Sequence, residues 1–302
     1  MSPNPCVATI GTFDGVHRGH QWLLRRVIAE ARARDLDAVA ITFEPSPLKI
    51  LRPDVYLGRI NDHRIQEQQL LAIGIDRVEW VPFTAEVAAT PPEQFMAELV
   101  AKTNLRHLIV GEDFALGRGR AGDVDRLREI GAELRFTIEA LPRQNLGDEH
   151  ISSTAIRQAI LDGDVAKARR LLGRPFRIEG EVVHGKKLGR TIGFPTANVM
   201  PPEGMVPLAD GIYAAWAWLP GDTDPRPAIT YVGKRPTVNT GDRVVETHLL
   251  DFEGDIYGQH LKVDLLEHLR PDAQFPSLEA LIDQMKIDRQ NAAAVHARER
   301  AG

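Results

Sequence analysis

The chain of 302 residues contains one cysteine, Cys6. A single thiol forms no disulfide within the chain, and four-cysteine zinc sites are excluded. Long apolar runs are missing as well. Stretches such as Ile212 to Leu219 fall well short of the roughly 20 residues that a membrane-spanning helix needs. The opening residues, MSPNPCVATIGTF, carry neither a basic segment nor an apolar stretch, so no export signal is expected and the chain reads as cytoplasmic. There is no excess of positive charge. The net charge is −5, which argues against a nucleic-acid coat, since that needs a strongly basic face. Two familiar phosphate-binding patterns are absent too: there is no G-x-x-x-x-G-K-[ST], and no HRD or DFG in usable order.

What is present is globular. Hydrophobic residues make up 43% and charged residues 26%, which excludes disordered and fibrous classes. A single core stops growing at roughly 250–300 residues, so two domains are expected. The first half alternates strand-like runs (Cys6–Gly11, Asp37–Phe43, Arg77–Val81, His107–Gly111, Leu134–Ala140) with helical ones (Gln21–Arg34, Gln66–Ile73, Pro92–Ala101, Val124–Ile130). That alternation predicts parallel pairing in a doubly wound, Rossmann-like α/β domain. A helical stretch from Ile151 to Leu172 follows, and Gly173-Arg174-Pro175 breaks it. Beyond the break, Phe176–His184, Gly211–Trp218, Arg226–Val232, Arg243–Phe252 and Gln259–Leu266 read as short strands between turn residues. Ser277–Ala294 reads as a long helix. This texture predicts an antiparallel barrel with a C-terminal helix. The expected domains are 1–172 and 173–302.

Three segments of the first half have anion chemistry. Gly11-Thr12-Phe13-Asp14-Gly15-Val16-His17-Arg18-Gly19-His20 lies between the first strand and the first helix, where open α/β sheets bind ligands. Gly11, Gly15 and Gly19 admit close backbone approach, and the helix start offers free N–H groups. His17 and His20 can present imidazole donors to phosphate oxygens. A second segment, Ile151-Ser152-Ser153-Thr154-Ala155-Ile156-Arg157, combines helix-capping hydroxyls with a guanidinium one turn later. The third, Val110 to Asp123, follows a strand and is rich in Gly and Arg; Asp113 there could fix a ribose or the loop itself.

In the second half, Gly180 to Asn198 is the densest motif. Gly185, Gly189 and Gly193, with Lys187 among them, suit a loop wrapped around phosphates. Pro195 fixes geometry before Thr196. A Thr hydroxyl and the Asn198 carbonyl are hard oxygen ligands that suit Mg²⁺ with nucleotide phosphates. In Val244–Phe252, strand alternation puts Glu246 on one face with Val244 and His248, and Val245 and Leu249 on the other. A carboxylate so placed can accept a proton from a hydroxyl nucleophile.

GTFDGVHRGH, VGEDFALGRGRAGD and ISSTAIR, in this order, resemble the FMN adenylyltransferase module of prokaryotic bifunctional FAD synthetases. GIYA, VGKRPT, ETHLLDF, DIYGQ and LRPDAQFPSLEALIDQMKID resemble riboflavin kinase. One departure is Ser46, where the family has histidine; another is Ile60-Asn61, where it has Leu-Thr. The resemblance implies phosphorylation of riboflavin by MgATP on a six-stranded barrel, then adenylyl transfer from ATP to FMN. It assigns ATP contacts to Gly11, Phe13, Asp14, Gly15, His17, Gly19, His20, Asp113, Ser153, Thr154 and Arg157. In the kinase half it assigns nucleotide contacts to Gly185, Lys187, Gly189, Gly193, Pro195 and Thr196, and Mg²⁺ to Thr196 and Asn198. Asn198 and Arg270, the latter after the last strand, are assigned to the flavin, and Glu246 is the general base. The alternative is a single-activity riboflavin kinase with an altered adenylyltransferase domain. Partners are expected to be small molecules only, with the chain a monomer or weak homo-oligomer.

Overall fold

A computed structural model describes residues 3–147, 149–184, 194–234 and 243–301. The chain divides into two compact units, 1–153 and 154–302. Strands of the first unit are β1 (Cys6–Ile10), β2 (Asp37–Glu44), β3 (Arg77–Pro82), β4 (Leu105–Gly111), the short pair β5 (Ala115–Leu116) and β6 (Gly122–Asp123), β7 (Thr137–Leu141), and a second short pair, β8 (Asn145–Leu146) and β9 (Glu149–His150). Its helices are α1 (Arg18–Ala33), α2 (Pro47–Leu51), α3 (His63–Ile73), α4 (Ala85–Ala89), α5 (Pro92–Thr103) and α6 (Val124–Leu134).

Five parallel strands form one sheet in the order β3-β2-β1-β4-β7. Strand alternation supplies a core on each face. Cys6, Ala8 and Ile10 of β1 join Met96 and Leu99 of α5 and Leu127 of α6. Val7 faces the other way and joins Leu24 and Val27 of α1 and Leu70 of α3. This is the doubly wound arrangement expected. Cys6 is inert in it: burial pushes its thiol up to about 11, and Sγ donates to the Thr103 carbonyl. The strand order reverses between β1 and β4, so the loops after these two strands flank the crevice where such sheets bind ligands. Several boundaries differ from expectation, among them α3, which starts three residues early at His63 behind its Asp62 cap. Helix α1 starts at Arg18, three residues early, because His17 caps it. Helix α6 runs on to Leu134, where a strand was expected, and stops because Arg135 turns left-handed (φ 62°).

The second unit holds α7 (Ser153–Leu161), whose first residue belongs to the first unit, and α8 (Val165–Leu172). Its strands are β10 (Phe176–Val183), β11 (Ala197–Met200), β12 (Gly211–Trp218), β13 (Arg226–Lys234), β14 (Arg243–Leu249) and β15 (His260–Arg270). They close into a six-stranded antiparallel barrel, β10-β11-β14-β13-β12-β15. Strand β11 is not readable from the pattern, since it has four residues inside a Gly- and Pro-rich motif. Arg270 is the last residue of β15, paired with Ile212, rather than a residue beyond the strand. The ladder holds the chain extended four residues further than the apolar pattern suggests. Tyr213, Thr230, Val245 and Leu265 are buried inside the barrel. Ala214, Trp216 and Leu266 face outward and are covered by Ala292 and Val295 of the C-terminal helix α9 (Leu278–Ala301).

Helices α7 and α8 group with the barrel. They bury Ile156, Ala159, Ile160, Val165, Ala168, Leu171 and Leu172. The Ala209 N–H bonds the Ile160 carbonyl at 3.2 Å, and Arg169 pairs with Glu299 of α9 at 2.7 Å. Each large aliphatic side chain exposed by removing these helices costs about 1.5–3 kcal/mol. Their sum is comparable with the about 5–15 kcal/mol stability of a whole domain. A fragment of residues 154–302 should therefore melt cooperatively, and one of residues 173–302 should aggregate or lack a transition; equal melting of the two would show that the helices contribute nothing.

A second expectation concerns acid. Burial pushes His20, His107, His248, His268 and His296 below the ordinary value. The folded rings are neutral, whereas the unfolded chain takes up protons at about pH 6.5, so acid favours unfolding. Thermal melts should show a flat Tm above about pH 7 and a fall that begins near pH 6.5 and deepens toward pH 5. A Tm flat down to pH 5 would contradict it.

Candidate active sites

In the first unit the segment after β1 is a strained loop held by burial. Phe13 (φ 46°) and Val16 (φ 40°) are left-handed, and each is only 1% exposed. A β-branched residue rarely adopts this conformation, and it persists only where the surroundings enforce it. Gly15 (φ 80°) supplies a third left-handed turn without a Cβ penalty. Groups from outside pin the loop. Gln66 of α3, fully buried, donates from Nε2 to the Thr12 carbonyl at 2.9 Å, and Thr42 Oγ1 donates to the same oxygen at 3.2 Å. The Asp14 carboxylate accepts the backbone N–H groups of Ile60 (3.0 Å) and Asn61 (3.3 Å). Ser153 Oγ donates to the Asp14 carbonyl at 2.9 Å, so this hydroxyl ties the start of α7 to the loop.

The two histidines meet at the start of α1. His17 is the N-cap, and its Nδ1 accepts the His20 backbone N–H at 3.2 Å. With Nδ1 an acceptor of that bond, the proton of the His17 ring sits on Nε2. The His17 and His20 rings stack with centroids 3.5 Å apart, and Phe13 packs edge-on against His20 at 5.2 Å. A Cβ at Gly19 would come within 3.3 Å of the His17 ring, so glycine there gives the ring its place. Nδ1 of His20 is enclosed without a hydrogen-bond partner. Burial, and then the proximity of His17, drive the His20 pKa well below its ordinary value. The site thus brings a neutral His20 ring, the His17 ring and a helix start together.

The loop after β4 is different. Asp113 Oδ2 pairs with Arg143 Nη2 at 2.7 Å on an exposed surface, and the Asp113 carbonyl accepts Arg120 Nη2 at 2.9 Å. These bonds shape the loop. Gly11 follows β1, with its N–H on the Ile41 carbonyl. Ser46 precedes α2 and makes no side-chain capping bond. Thr154 and Arg157 follow Ser153 within α7, in the second unit, where Arg157 is buried. Sequence reading missed Gln66, Thr42 and Arg59. Arg59 pairs with Glu44 and donates to Gln66 Oε1 at 2.8 Å. Their signal is weak, because each is an ordinary polar residue until the fold buries it.

The barrel carries a cavity of about 370 Å³ between its outer wall and α9. Ile212, Ile229, Leu281 and Met285 give it an apolar lining, and Thr196, Tyr231, Glu246, His248 and Arg270 give it polar edges. Register explains the convergence. Glu246 lies opposite Asn198 of β11 on one side and Tyr231 of β13 on the other, so these side chains share the outer face. Asn198 is buried and is not among the residues lining the cavity. Tyr231 donates to Asp272 at 3.1 Å, and burial raises its hydroxyl to about 12, so it stays protonated. Arg270 grips Asp288 of α9, with Nε on Oδ1 at 2.9 Å and Nη2 on Oδ2 at 2.8 Å. Gln284 adds a third bond to that carboxylate at 3.0 Å. Asp288 and Gln284 escaped sequence reading, since they lie far along a helix from any motif. Arg270 therefore borders the cavity with its charge already balanced.

A second cleft, lined by Val182, Pro195, Thr196, Ala197, Phe252, Asp255 and Tyr257, shares Thr196 with the first. His248 Nδ1 lies 2.7 Å from the Pro195 carbonyl. Gly185, Lys187, Gly189 and Gly193 lie outside the described residues. Among the described residues no three His, Cys, Asp or Glu side chains cluster as metal ligands. Thr196 and Asn198 offer hydroxyl and amide oxygens, a small hard donor set that fits Mg²⁺ sharing its shell with nucleotide phosphates.

Comparison with known proteins agrees with this layout. The FAD synthetase family model matches residues 1–155, and the riboflavin kinase model matches residues 172–296. The bifunctional riboflavin kinase/FMN adenylyltransferase of Escherichia coli (strain K12) is 42% identical over 288 residues, covering 95% of this chain and 91% of that protein. The protein of the same description from Pseudomonas fluorescens is 40% identical over 294 residues, covering 97% and 93%. The crystal structure of a macrolide-efflux protein from Streptococcus pneumoniae superposes with a TM-score of 0.88 at 32% identity, covering 97% of this chain and 95% of that one. Among the described residues, no helix of this chain is long and apolar enough to cross a membrane. Two family models matched in order, with such identity along nearly the whole length, show that the chain belongs to the bifunctional riboflavin kinase/FMN adenylyltransferase family.

Proposed function

We propose a division of labour within a chain that is both a riboflavin kinase and an FMN adenylyltransferase. Kinase chemistry is assigned to residues 173–302, supported by α7 and α8, and adenylyl transfer to residues 1–172. The observation that carries the kinase reading is the convergence of Glu246, Thr196 and Arg270 on one apolar cavity. The flavin ring system fits such a lining, with its ribityl chain directed to Glu246. The Glu246 carboxylate takes the proton of the 5′-hydroxyl, whose oxygen attacks the γ-phosphorus of ATP as the bond to the β-phosphate oxygen breaks and ADP leaves. Thr196 and Asn198 would hold Mg²⁺ with phosphate oxygens, and the ion would supply charge neutralisation for phosphoryl transfer. The second cleft at Thr196 takes the nucleotide, so the two substrates meet at one residue.

In the N-terminal half an FMN phosphate oxygen attacks the α-phosphorus of ATP, and pyrophosphate leaves. No covalent enzyme intermediate is needed, so positioning and charge stabilisation carry the step. His17 donates from Nε2 to the departing phosphates, and His20 and the N–H groups of α1 complete the anion site. Ser153 braces the loop through the Asp14 carbonyl, and Asp14 holds it through Ile60 and Asn61. The enzyme works in the cytoplasm as a monomer or weak homo-oligomer, and it needs no nucleic-acid partner.

Two experiments test these roles. Glu246→Gln should lower riboflavin phosphorylation by about 10²–10⁴-fold and leave FMN-to-FAD conversion intact; normal kinase turnover would remove Glu246 from the base role. In the other half, His20→Ala and His17→Ala should each lower FAD formation by about 10²–10³-fold with kinase activity unchanged. Because His17 also caps α1, His17→Ala should cost about 1 kcal/mol of stability. His17→Asp restores an acceptor cap without a donor, so it should recover stability but not turnover. Recovery of both would leave His17 a cap alone.

A further inference from the structure

We propose that His248 is a positioning residue of the kinase site, which holds Thr196 in register with Glu246 through the Pro195 carbonyl. The inference rests on the assignment of Thr196 and Glu246 made above. His248 follows Glu246 by two residues on β14, so both side chains leave the same outer face, and both border the cavity. Its Nδ1 lies 2.7 Å from the Pro195 oxygen. A carbonyl only accepts, so Nδ1 carries the proton and donates it. The ring is further fixed by Phe194, which packs edge-on with centroids 5.4 Å apart. Phe194 and Pro195 are the two residues immediately before Thr196.

The geometry makes this bond consequential. The Pro195–Thr196 peptide unit is planar, so fixing its oxygen fixes the orientation of the Thr196 amide as well. On the other side of Thr196, Ala197 is held by its ladder pairing with Thr247. Thr196 is thereby clamped from both sides by β14, once by backbone at Thr247 and once by the side chain of His248. Pro195 is exposed, and Thr196 precedes the first residue of β11. Without His248 the nucleotide-binding threonine would hang on one side only, while the base would stay in place. A displacement of about 1 Å in such a site can cost about 10²-fold in rate.

The test measures both reactions in the full-length chain. His248→Leu should lower kcat for riboflavin phosphorylation by about 10–100-fold with KM for riboflavin little changed and FMN-to-FAD turnover at the wild-type rate. His248→Asn carries an amide donor where Nδ1 stood and should recover most of kcat. His248→Gln places its amide one bond further and should recover less. Full kcat in His248→Leu, a loss confined to KM, or an Asn variant no better than Leu would each overturn the proposal. Glu246→Gln run in parallel separates the two possible failures. Full activity there overturns the site assignment and this proposal with it. An inactive Glu246→Gln beside an active His248→Leu overturns the positioning role alone.

Discussion

Three antiparallel pairs, Ala197 with Thr247, Asn198 with Glu246 and Val199 with Val245, close the barrel and assemble the proposed kinase site in one act. Strand β11 is short, and it is the strand that converts an open sheet into a closed one. Its register also decides chemistry. A shift of one residue would turn Asn198 inward and separate it from Glu246, because side chains alternate at every residue along a strand. The same ladder holds Ala197 against Thr247, beside which His248 reaches Pro195. Closure and site geometry are therefore one constraint.

The N-terminal site uses a different economy of forces. A parallel sheet leaves a crevice where its strand order reverses, and a helix starts there with the positive end of its dipole. Backbone strain at Phe13 and Val16 is what shapes the loop in that crevice. Such strain persists only under burial and cross-bracing, and Gln66, Thr42, Asp14 and Ser153 provide the bracing. The pressed-down pKa of His20 follows from the same enclosure. A neutral His20 ring avoids the repulsion that two stacked imidazolium ions would suffer at this distance.

The two halves solve a similar problem, the movement of a phosphorus group between oxygens, on unrelated frameworks. Both rely on placement rather than covalent help. In the proposed scheme the barrel adds one carboxylate because a hydroxyl nucleophile must lose a proton. The α/β unit has no need of a base, because an FMN phosphate is already ionised at neutral pH. Arg270 illustrates how context changes a residue: its charge is matched by Asp288, so it fastens the C-terminal helix across the cavity edge instead of offering a free cation.

Much of this was legible along the chain. Alternation in β14 put Glu246 and His248 on one face, and the strand–loop–helix setting of His17 and His20 was readable, because both are local patterns with periods of two and about four residues. The doubly wound sheet and the barrel followed from the same periodicities. Tertiary structure decided the rest. Ala197–Met200 becomes a strand only because Val183 on one side and Glu246 on the other supply partners. Gln66 is a polar residue on a helix until α3 buries it over Thr12. Asp288 meets Arg270 only when α9 folds back on the barrel, and α7 and α8 join the barrel although a sequence break follows them. Local order was set by side-chain period and turn chemistry, which neighbours in sequence determine; the site needed pairings between distant residues, which only the closed fold brings within hydrogen-bond reach.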